Sequence, residues 1–467
     1  MDRDKLEKYR SIKLIVSEAI MVLTVIITVI ILVFVVSGYW LNSNFEVERQ
    51  GLLQISSFPT GASVEIDGES SWLQRTNTSK VLPSGEHTVT LSKDGYDTWS
   101  KTINISEGLL YRIHYPRLFL KERTPEGVLD VAGVTMATIS PDYNTILLAN
   151  ATTEWQVINL DSETISPQKI DISSLFSGTS IVEGAEVGVF GGKIISVEWS
   201  LDNTHILFKT DTENGVEWVL LNIDNLKNSI NLSKEFGINF ESVEILDNSA
   251  NNLLVLQNGN LQKIDIPSKS ISSIIANNVN YFDYFNNEIA FSALDDNGFD
   301  YYVGFMKLND KKITKVKTLT KPAKVAMGKF YDDKYIVLLL DNLVSLYRGE
   351  GYLDVTDFEL SFIPERLLVG HHGEFVTMST GAEIATLEME SGKIIEWSTE
   401  NENYNWLDDD MIYVVSDGKL IVYDFDGYNR RTLAKNVSSY FPVTITNNKW
   451  LYYFSDNKLT RELLIPR

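Results

Sequence analysis

The chain has 467 residues, of which 44% are apolar and 22% charged, a composition typical of folded domains and long enough for two or three of them. Its 41 basic and 63 acidic residues give a net charge of −22, which disfavours a nucleic-acid partner because the chain would repel a phosphate backbone. It has no cysteine, which excludes disulfides, cysteine-ligated metals and thiol catalysis.

The first predicted element is a helix that crosses a membrane. Apolar residues fill the run from Ile20 to Val36, interrupted only by Thr24 and Thr28. About 20 such residues span the hydrocarbon core of a bilayer, so residues 19–40 are predicted to form one transmembrane helix. A cleaved signal peptide is the alternative, since Val36-Ser37-Gly38 is a tolerable cleavage pattern, but the run is longer than the usual apolar region of about 7–15 residues.

The basic residues around this run predict its orientation. Those before it are Arg3, Lys5, Lys8, Arg10 and Lys13. The first one after it is Arg49, so residues 1–18 are expected in the cytoplasm and everything after residue 40 outside it. Tyr39 and Trp40 carry the amphipathic rings that favour the headgroup layer and are expected to mark the exit point.

Residues 50–118 have the pattern of a small antiparallel β-sandwich. Apolar residues alternate with polar ones in several short segments, as in half-buried strands. The segments are separated by Asp67-Gly68, Pro83-Ser84-Gly85 and Asp94-Gly95, which supply the backbone angles of tight turns.

Three sequence blocks in this region resemble the PEGA domain, a β-sandwich module of prokaryotic envelope proteins. The blocks are Pro59-Thr60-Gly61-Ala62 followed by Val64, Ile66, Asp67 and Gly68; Leu82-Pro83-Ser84-Gly85-Glu86-His87; and Lys93-Asp94-Gly95-Tyr96 with Trp99. The resemblance implies an extracytoplasmic position and an interaction or spacer role, and it carries over no catalytic residue.

After a linker over residues 122–127, residues 128–467 repeat one unit of three or four short strands. The repeat is marked by eight turns, near Asp142, Asp202, Asn248, Asn287, Asp333, Gly373, Asp409 and Asn448. Their spacing is about 36 to 46 residues after a first interval of about 60. Such a period predicts a β-propeller, in which stacked blades cover the faces that one blade cannot bury alone.

Eight blades are favoured, with seven as the alternative, and a strand from residues 115–138 is expected to complete the last blade. Two segments resemble TolB-like and WD-repeat-like propellers, namely Ser140-Pro141-Asp142 and Tyr423-Asp424-Phe425-Asp426-Gly427. The fold class is therefore all-β after one transmembrane helix, with a solenoid or two sandwiches as alternatives to the propeller.

The residues that could carry chemistry favour a structural interpretation. His371-His372 would point to opposite faces of a strand and fit a blade turn better than a metal site. His205 is expected to support a turn. No histidine lies in an HExxH pattern, the sequence has no GxSxG nucleophile pattern, and Gly191-Gly192-Lys193 fails the phosphate-loop pattern.

Acidic clusters and one long loop complete the candidates. Asp295-Asp296, Asp332-Asp333 and Asp408-Asp409-Asp410 lack the spacing of a calcium loop and are expected to solvate turns. Residues 173–192 are expected to form an inserted loop that carries binding, or a plain extension of a blade. We therefore predict no catalytic, cofactor-binding or metal-binding residue, no cofactor and no enzymatic activity.

These features together predict a single-pass membrane protein of a prokaryotic cell envelope. Residues 19–40 anchor it, and the propeller binds an envelope protein or a cell-wall glycan as a recognition or scaffold platform. Two alternatives remain: a propeller hydrolase or lyase that uses paired carboxylates in its channel, and a structural component of a surface layer.

Overall fold

The computed structural model describes residues 3–36, 39–41, 47–177, 188–189, 192–246, 248–308, 310, 312–370 and 372–465. It gives the backbone alone for residues 3–12, 14–15, 34–36, 39–41, 47–48, 70–74 and 188–189. The chain divides into two compact units, Met1–Glu122 and Arg123–Arg467.

Helix α1 (Arg3–Val36) opens the first unit. Its 18 residues Val16–Val33 have a mean hydropathy of 2.7 and no buried side chain, so this stretch is long and apolar enough to cross a membrane. The helix begins earlier than the predicted boundary at residue 19 and ends before residue 40. Strand β1 (Tyr39–Leu41) replaces the expected last turn, after Ser37-Gly38 in the sequence, where glycine disfavours helix continuation.

The first unit also contains the predicted β-sandwich. Its remaining strands are β2 (Val47–Ile55), β3 (Ser63–Ile66), β4 (Glu69–Arg75), β5 (Thr78–Pro83), β6 (Gly85–Ser92), β7 (Trp99–Ile105) and β8 (Leu110–Ile113). One sheet has the order β4-β3-β6-β7, and in the other β2 pairs with β1, β5 and β8. Along β7 buried and exposed residues alternate without exception, because one sheet face covers the core and the other faces solvent.

The second unit is a β-propeller of eight sheets. Its first strand is β9 (Glu126–Asp130), which starts inside the predicted linker. Blade 1 contains β10 (Val134–Ile139), β11 (Thr145–Asn150), β12 (Glu154–Asn159) and β13 (Pro167–Asp171). Blade 2 begins with an additional short edge strand, β14 (Gly188–Val189), followed by its first to fourth strands β15 (Gly192–Trp199), β16 (His205–Thr212), β17 (Gly215–Asn222) and β18 (Ile230–Asn231). Blade 3 contains β19 (Ser242–Ile245), β20 (Asn252–Gln257), β21 (Asn260–Asp265) and β22 (Ser270–Ile271). Blade 4 contains β23 (Val279–Phe285), β24 (Glu288–Leu294), β25 (Tyr301–Lys307) and β26 (Thr314–Leu319).

The remaining blades repeat the pattern. Blade 5 contains β27 (Lys324–Phe330), β28 (Asp333–Leu340), β29 (Leu343–Arg348) and β30 (Asp354–Glu359). Blade 6 contains β31 (Arg366–Val369), β32 (Phe375–Thr380), β33 (Glu383–Glu388) and β34 (Lys393–Ser398). Blade 7 contains β35 (Tyr404–Trp406), β36 (Met411–Ser416), β37 (Lys419–Asp424) and β38 (Arg431–Lys435). Blade 8 contains β39 (Thr444–Thr446), β40 (Trp450–Ser455), β41 (Lys458–Leu463) and β9. A five-residue helix, α2 (Leu232–Phe236), follows the last strand of blade 2 and precedes blade 3.

The ring closes by combining the two ends of the propeller. Strand β9 pairs with β41, so the predicted closing strand is confirmed, and the structure has eight blades. Blade 8 then meets blade 1, where the Tyr452 hydroxyl donates a hydrogen bond to the Leu160 carbonyl (3.3 Å). Closure covers the two sheet faces that an open row of blades would leave exposed at its ends.

Apolar clusters between neighbouring blades hold the ring together. Leu147 and Trp155 of blade 1, for example, are buried against Ile206 and Phe208 of blade 2. The second strand of each blade is covered on both faces, which explains the continuous apolar runs in the sequence, such as TILLAN in β11. Because each blade is covered only by its neighbours, stability depends on the completeness of the ring.

Candidate functional site

The first strand of each blade is here called its inner strand. Eight equivalent positions on the inner strands form a ring around the propeller axis. Each lies two residues before the residue that begins the turn to the second strand, and each has the same place in the pairing register. In blade order they are occupied by Thr138, Glu198, Glu244, Asp283, Gly328, Leu368, Asn405 and Thr444. The acidic residues stand in three consecutive blades, and we refer to Glu198, Glu244 and Asp283 as the carboxylate triad.

Two carboxylates of the triad accept hydrogen bonds from the free edge of the next inner strand. Strands β19 and β27 pair on one side only, so backbone N–H groups on their other edge lack a partner in their own sheet. The Ile245 N–H donates to Glu198 Oε1 (3.1 Å), and the Met327 N–H donates to Asp283 Oδ2 (2.6 Å). Each of these two carboxylates therefore connects its own blade to the next one.

Loss of hydration raises the pKa of all three carboxyl groups. Burial raises the pKa of Glu198 to about 7. The hydrogen bond from Ile245 lowers this pKa, and the negative charge of Asp283 raises it by a smaller amount than burial does. Burial also raises the pKa of Glu244 well above its usual range, and the charges of Asp283 and Glu198 add to the effect. The pKa of Asp283 is raised by burial against the two backbone hydrogen bonds that it accepts. We therefore expect the three groups to ionise at a higher pH than exposed carboxyl groups do.

The triad is not arranged to chelate one metal ion. The oxygens of Glu198, Glu244 and Asp283 do not all lie within 4.8 Å of one another, so the three cannot close around a single cation. Glu244 accepts no hydrogen bond from any residue that the structure describes. Half-buried carboxylates in this state can exchange protons with solvent or face a cationic or hydrogen-bond-donating ligand.

A cavity of about 730 Å³ opens where the inner strands of blades 2, 3 and 4 end. We call it the mouth cavity, and its lining residues are Glu198, Trp199, Leu201, Ile245, Leu246, Asn248, Ser249, Tyr284, Phe285 and Asn286. It combines three aromatic rings, two amides and one carboxylate of the triad. Apolar lining with a few convergent polar groups is the usual composition of a binding site.

A wider groove of about 1020 Å³ lies along blades 2 and 3. Its lining includes Lys227, Lys234 and Lys269, and the Lys269 ammonium pairs with Glu235 (2.9 Å). No Trp, Tyr or Phe lines it among the residues that the structure describes. The mouth cavity is therefore the better candidate, because, unlike the groove, it joins aromatic rings to a carboxyl group of raised pKa.

The histidines have the structural surroundings expected from the sequence. His205 Nδ1 lies 2.8 Å from Thr204 Oγ1, and its Nε2 lies 2.8 Å from Asn222 Nδ2, so the ring braces the start of β16. His372 stands in the turn between β31 and β32, with its Nδ1 3.0 Å from Asp409 Oδ1. His371 lies outside the described residues.

The acidic clusters are engaged in their turns. Asp295 pairs with Lys315 (2.8 Å), Asp332 with Lys329 (3.4 Å), and Asp408 Oδ1 accepts the Met411 N–H (2.9 Å). Asp408 is buried, with 7% of its surface exposed, so it holds its turn through a hydrogen bond rather than by the expected contact with solvent. Most of the predicted inserted loop over residues 173–192 lies outside the described residues.

Sequence reasoning did not find the triad, although the repeats contain a signal for it. The segments VEWSLDN, VEILDN and FDYFNN each place one acidic residue inside an otherwise apolar inner strand, at the same distance from the turn. An acidic residue that recurs at one register position in consecutive repeats indicates a shared site rather than a solvated surface. Only the alignment of the repeats makes this visible.

Comparison with known proteins agrees with the assignment of the first unit. Residues 50–117 match the PEGA domain model. No curated protein sequence matches the chain. A PEGA domain followed by a β-propeller is an organisation that suggests a binding or scaffold protein.

The solved structures that are similar to this chain have low sequence identity to it. The C-terminal WD40 domain of Sif2 is 11% identical, with 74% of this chain and 99% of that chain covered and a TM-score of 0.45. A computationally designed protein, Ika8, is 10% identical over 73% of this chain and 100% of that one (TM-score 0.44). Apo AztD from Citrobacter koseri is 12% identical over 80% and 94% (TM-score 0.38). Because these scores are below 0.5, the propeller assignment rests on the strand order and ring closure.

Proposed function

We propose that this chain is a membrane-anchored binding or scaffold protein of a prokaryotic cell envelope, and not an enzyme. Its N-terminus lies in the cytoplasm, and the PEGA domain and the propeller lie outside. The propeller recognises an envelope protein or a cell-wall glycan. The observation that carries the proposal is the mouth cavity, whose aromatic, amide and carboxylate lining suits such a ligand.

The anchor is supported by the exposed apolar surface of α1. None of the side chains of Val16–Val33 is covered by the rest of the chain. Exposing such a surface to water is unfavourable by about 25 cal/mol per Å², so the segment belongs in a bilayer. The basic residues that precede it favour a cytoplasmic N-terminus.

Two experiments distinguish a retained membrane anchor from a cleaved signal peptide and test the orientation of the chain in the membrane. N-terminal sequencing of the protein isolated from membranes should find the segment before residue 37 still attached. A reporter enzyme that works only outside the cytoplasm, fused after Arg467, should be active. Activity only of a cytoplasmic reporter would contradict the orientation and most of the functional proposal with it.

Recognition at the mouth cavity follows from the chemistry of its lining. The rings of Trp199, Tyr284 and Phe285 offer flat apolar surfaces that suit a side chain or a sugar face. The amides of Asn248 and Asn286 can donate and accept hydrogen bonds and so fix the orientation of a ligand. We therefore place the partner at this cavity rather than along the outer strands.

Crosslinking mass spectrometry on intact cells of the native host tests the cavity. Leu201 is 62% exposed at the cavity, and Ile363 is 63% exposed in the loop between β30 and β31, on the opposite face of the ring. Leu201→Asp should abolish the propeller crosslinks to the partner, whereas the matched Ile363→Asp should keep them. If both variants keep them, recognition lies elsewhere. If the wild type gives no reproducible protein crosslink, the partner is a glycan.

The raised pKa of Glu198 favours one second candidate, a hydrolase or lyase. A carboxyl group with a pKa of about 7 is protonated often enough at neutral pH to act as a general acid. Wild-type protein incubated with envelope polysaccharide should then release reducing ends, and Glu198→Gln should bind the polysaccharide without releasing them. Binding without product by both proteins favours the non-enzymatic proposal.

A further inference from the structure

One outer face of the PEGA sandwich presents a row of exposed apolar side chains. In the register of the sheet, Leu52 of β2 stands between Val81 of β5 and Leu110 of β8. Their side chains are 39%, 51% and 41% exposed. Leu109 is also exposed, and its carbonyl accepts the Leu52 N–H (2.9 Å). We call Leu52, Val81, Leu109 and Leu110 the apolar row.

The other outer face of the same sandwich has a different character. There, exposed Thr88 bonds to Thr102 and Thr90 bonds to Ser100, both at 3.0 Å between hydroxyl oxygens. Such cross-strand pairs of hydroxyl groups are typical of a sheet face that is exposed to solvent. Since both faces belong to one small domain, the apolar row is not a general property of its surface.

Charge distinguishes the two faces as well. The outward positions around the row are Gln50, Leu52, Gln54, Ser79, Val81, Pro83, Leu110 and Arg112. None of them is acidic, although the whole chain has a net charge of −22, and the only charged one is Arg112. Among the side chains that the structure describes at these positions, one is basic and none is acidic, which is complementary to the surface of an anionic bilayer.

The row lies close to the membrane anchor along the chain and in the sheet. Tyr39 of β1 comes three residues after the end of α1 and pairs with Arg49 of β2. The steps from Val36 to Tyr39, across the sheet to Arg49 and along β2 to Leu52 cover at most about 26 Å. So short a connection keeps the face near the bilayer at a high effective concentration, and modest apolar contacts then suffice for docking.

We propose that the apolar row docks on the outer surface of the membrane, with its leucine and valine side chains in the headgroup layer. This inference rests on the proposed membrane anchor and goes beyond it. The PEGA domain then lies against the bilayer instead of projecting freely on a flexible stalk. The orientation of the PEGA domain relative to the bilayer is thereby fixed.

The absence of cysteine from the sequence makes a site-specific test direct. The full chain is reconstituted in vesicles of phosphatidylglycerol and phosphatidylethanolamine, with one spin-labelled cysteine at Val81→Cys. Asn104→Cys, exposed on the polar sheet of the same domain, is the matched control. Val25→Cys in α1 reports whether the anchor is inserted. Collision rates with oxygen, which concentrates in lipid, and with a water-soluble nickel chelate give the depth of each label.

The quantity compared is the collision rate with oxygen divided by the collision rate with the chelate. We expect this ratio to be lipid-like at positions 25 and 81, and at least fivefold higher there than at position 104. A lipid-like ratio at 25 with equal, water-like ratios at 81 and 104 would overturn the docking and leave the anchor intact. A water-like ratio at 25 would instead refute the anchor. Spin–spin broadening at 81 that disappears on dilution with unlabelled protein would also overturn the docking, because a second copy would then cover the row.

Discussion

Replacing Glu198 by glutamine should make the propeller more stable at pH 8 and change its stability little at pH 4. The pKa of Glu198 rises from 4.5 to about 7 in the folded chain, chiefly through desolvation. At about 1.4 kcal/mol per pKa unit, ionising this group in the folded state costs about 3 kcal/mol at pH 8. Glutamine removes the ionisation and keeps a carbonyl that can accept the Ile245 N–H.

The direction of the pH dependence follows from linkage. A carboxyl group whose folded pKa is raised releases its proton more easily in the unfolded state, so stability is greatest below pH 4.5 and falls as the pH rises towards 7. Glu198→Gln should flatten this part of the curve. Because the Glu198 charge also raises the pKa of Glu244, the variant should reduce the contribution of Glu244 as well.

Thermal or urea unfolding of the full chain in detergent micelles, followed from pH 4 to 8, measures the effect. Glu402→Gln is the matched control, because Glu402 is exposed and is not one of the eight inner-strand positions. This variant should leave the curve of stability against pH parallel to that of the wild type. The reasoning is refuted if Glu198→Gln also gives a parallel curve, since Glu198 would then titrate like an ordinary surface carboxylate.

Three further substitutions test the construction of the ring, each read as a change in the free energy of unfolding. Arg123→Ala should lower the free energy of unfolding by about 3 kcal/mol, because the buried Glu462 carboxylate then lacks the guanidinium group that lies 3.0 Å away. Hydrogen exchange should also become faster in β9. Gly328→Ala should cost about 1–3 kcal/mol, since a Cβ there would lie 2.2 Å from the Tyr335 hydroxyl; an unchanged midpoint would contradict the packing. Tyr452→Phe should cost about 1 kcal/mol through loss of the hydrogen bond that joins blades 8 and 1, and no loss would mean that apolar contacts alone close the ring.

The overall fold could be predicted from the sequence because its signals are local and repeated. The eight predicted turns coincide with the eight links between first and second strands, where left-handed residues such as Asn203 and Asn448 favour a tight turn. The closing strand was expected within residues 115–138 and lies at Glu126–Asp130, because an incomplete last blade needs an edge partner. The end of α1 was placed four residues too late, since the apolar character continues through Tyr39 and Trp40 while the helix does not.

The triad could not be predicted in the same way, because its members come from three different blades. Nothing in the local sequence of β15 shows that the carboxylate of Glu198 reaches the backbone of β19. The raised pKa values also depend on burial by neighbouring blades, which is a property of the closed ring and not of one repeat. Periodicity identifies the strands, whereas the surroundings of a side chain near the axis require the assembled propeller.

The ring itself gives the strongest reason to regard the triad as functional. The propeller fold does not require acid at these positions, because the five other blades place Thr138, Gly328, Leu368, Asn405 and Thr444 there. Three partly desolvated carboxyl groups in consecutive blades lower stability near neutral pH, whereas a neutral residue would avoid this loss. Two of them gain a backbone hydrogen bond, which glutamine or asparagine would supply as well. A destabilising arrangement confined to one side of the ring, with Glu198 lining the mouth cavity, is typical of a binding site.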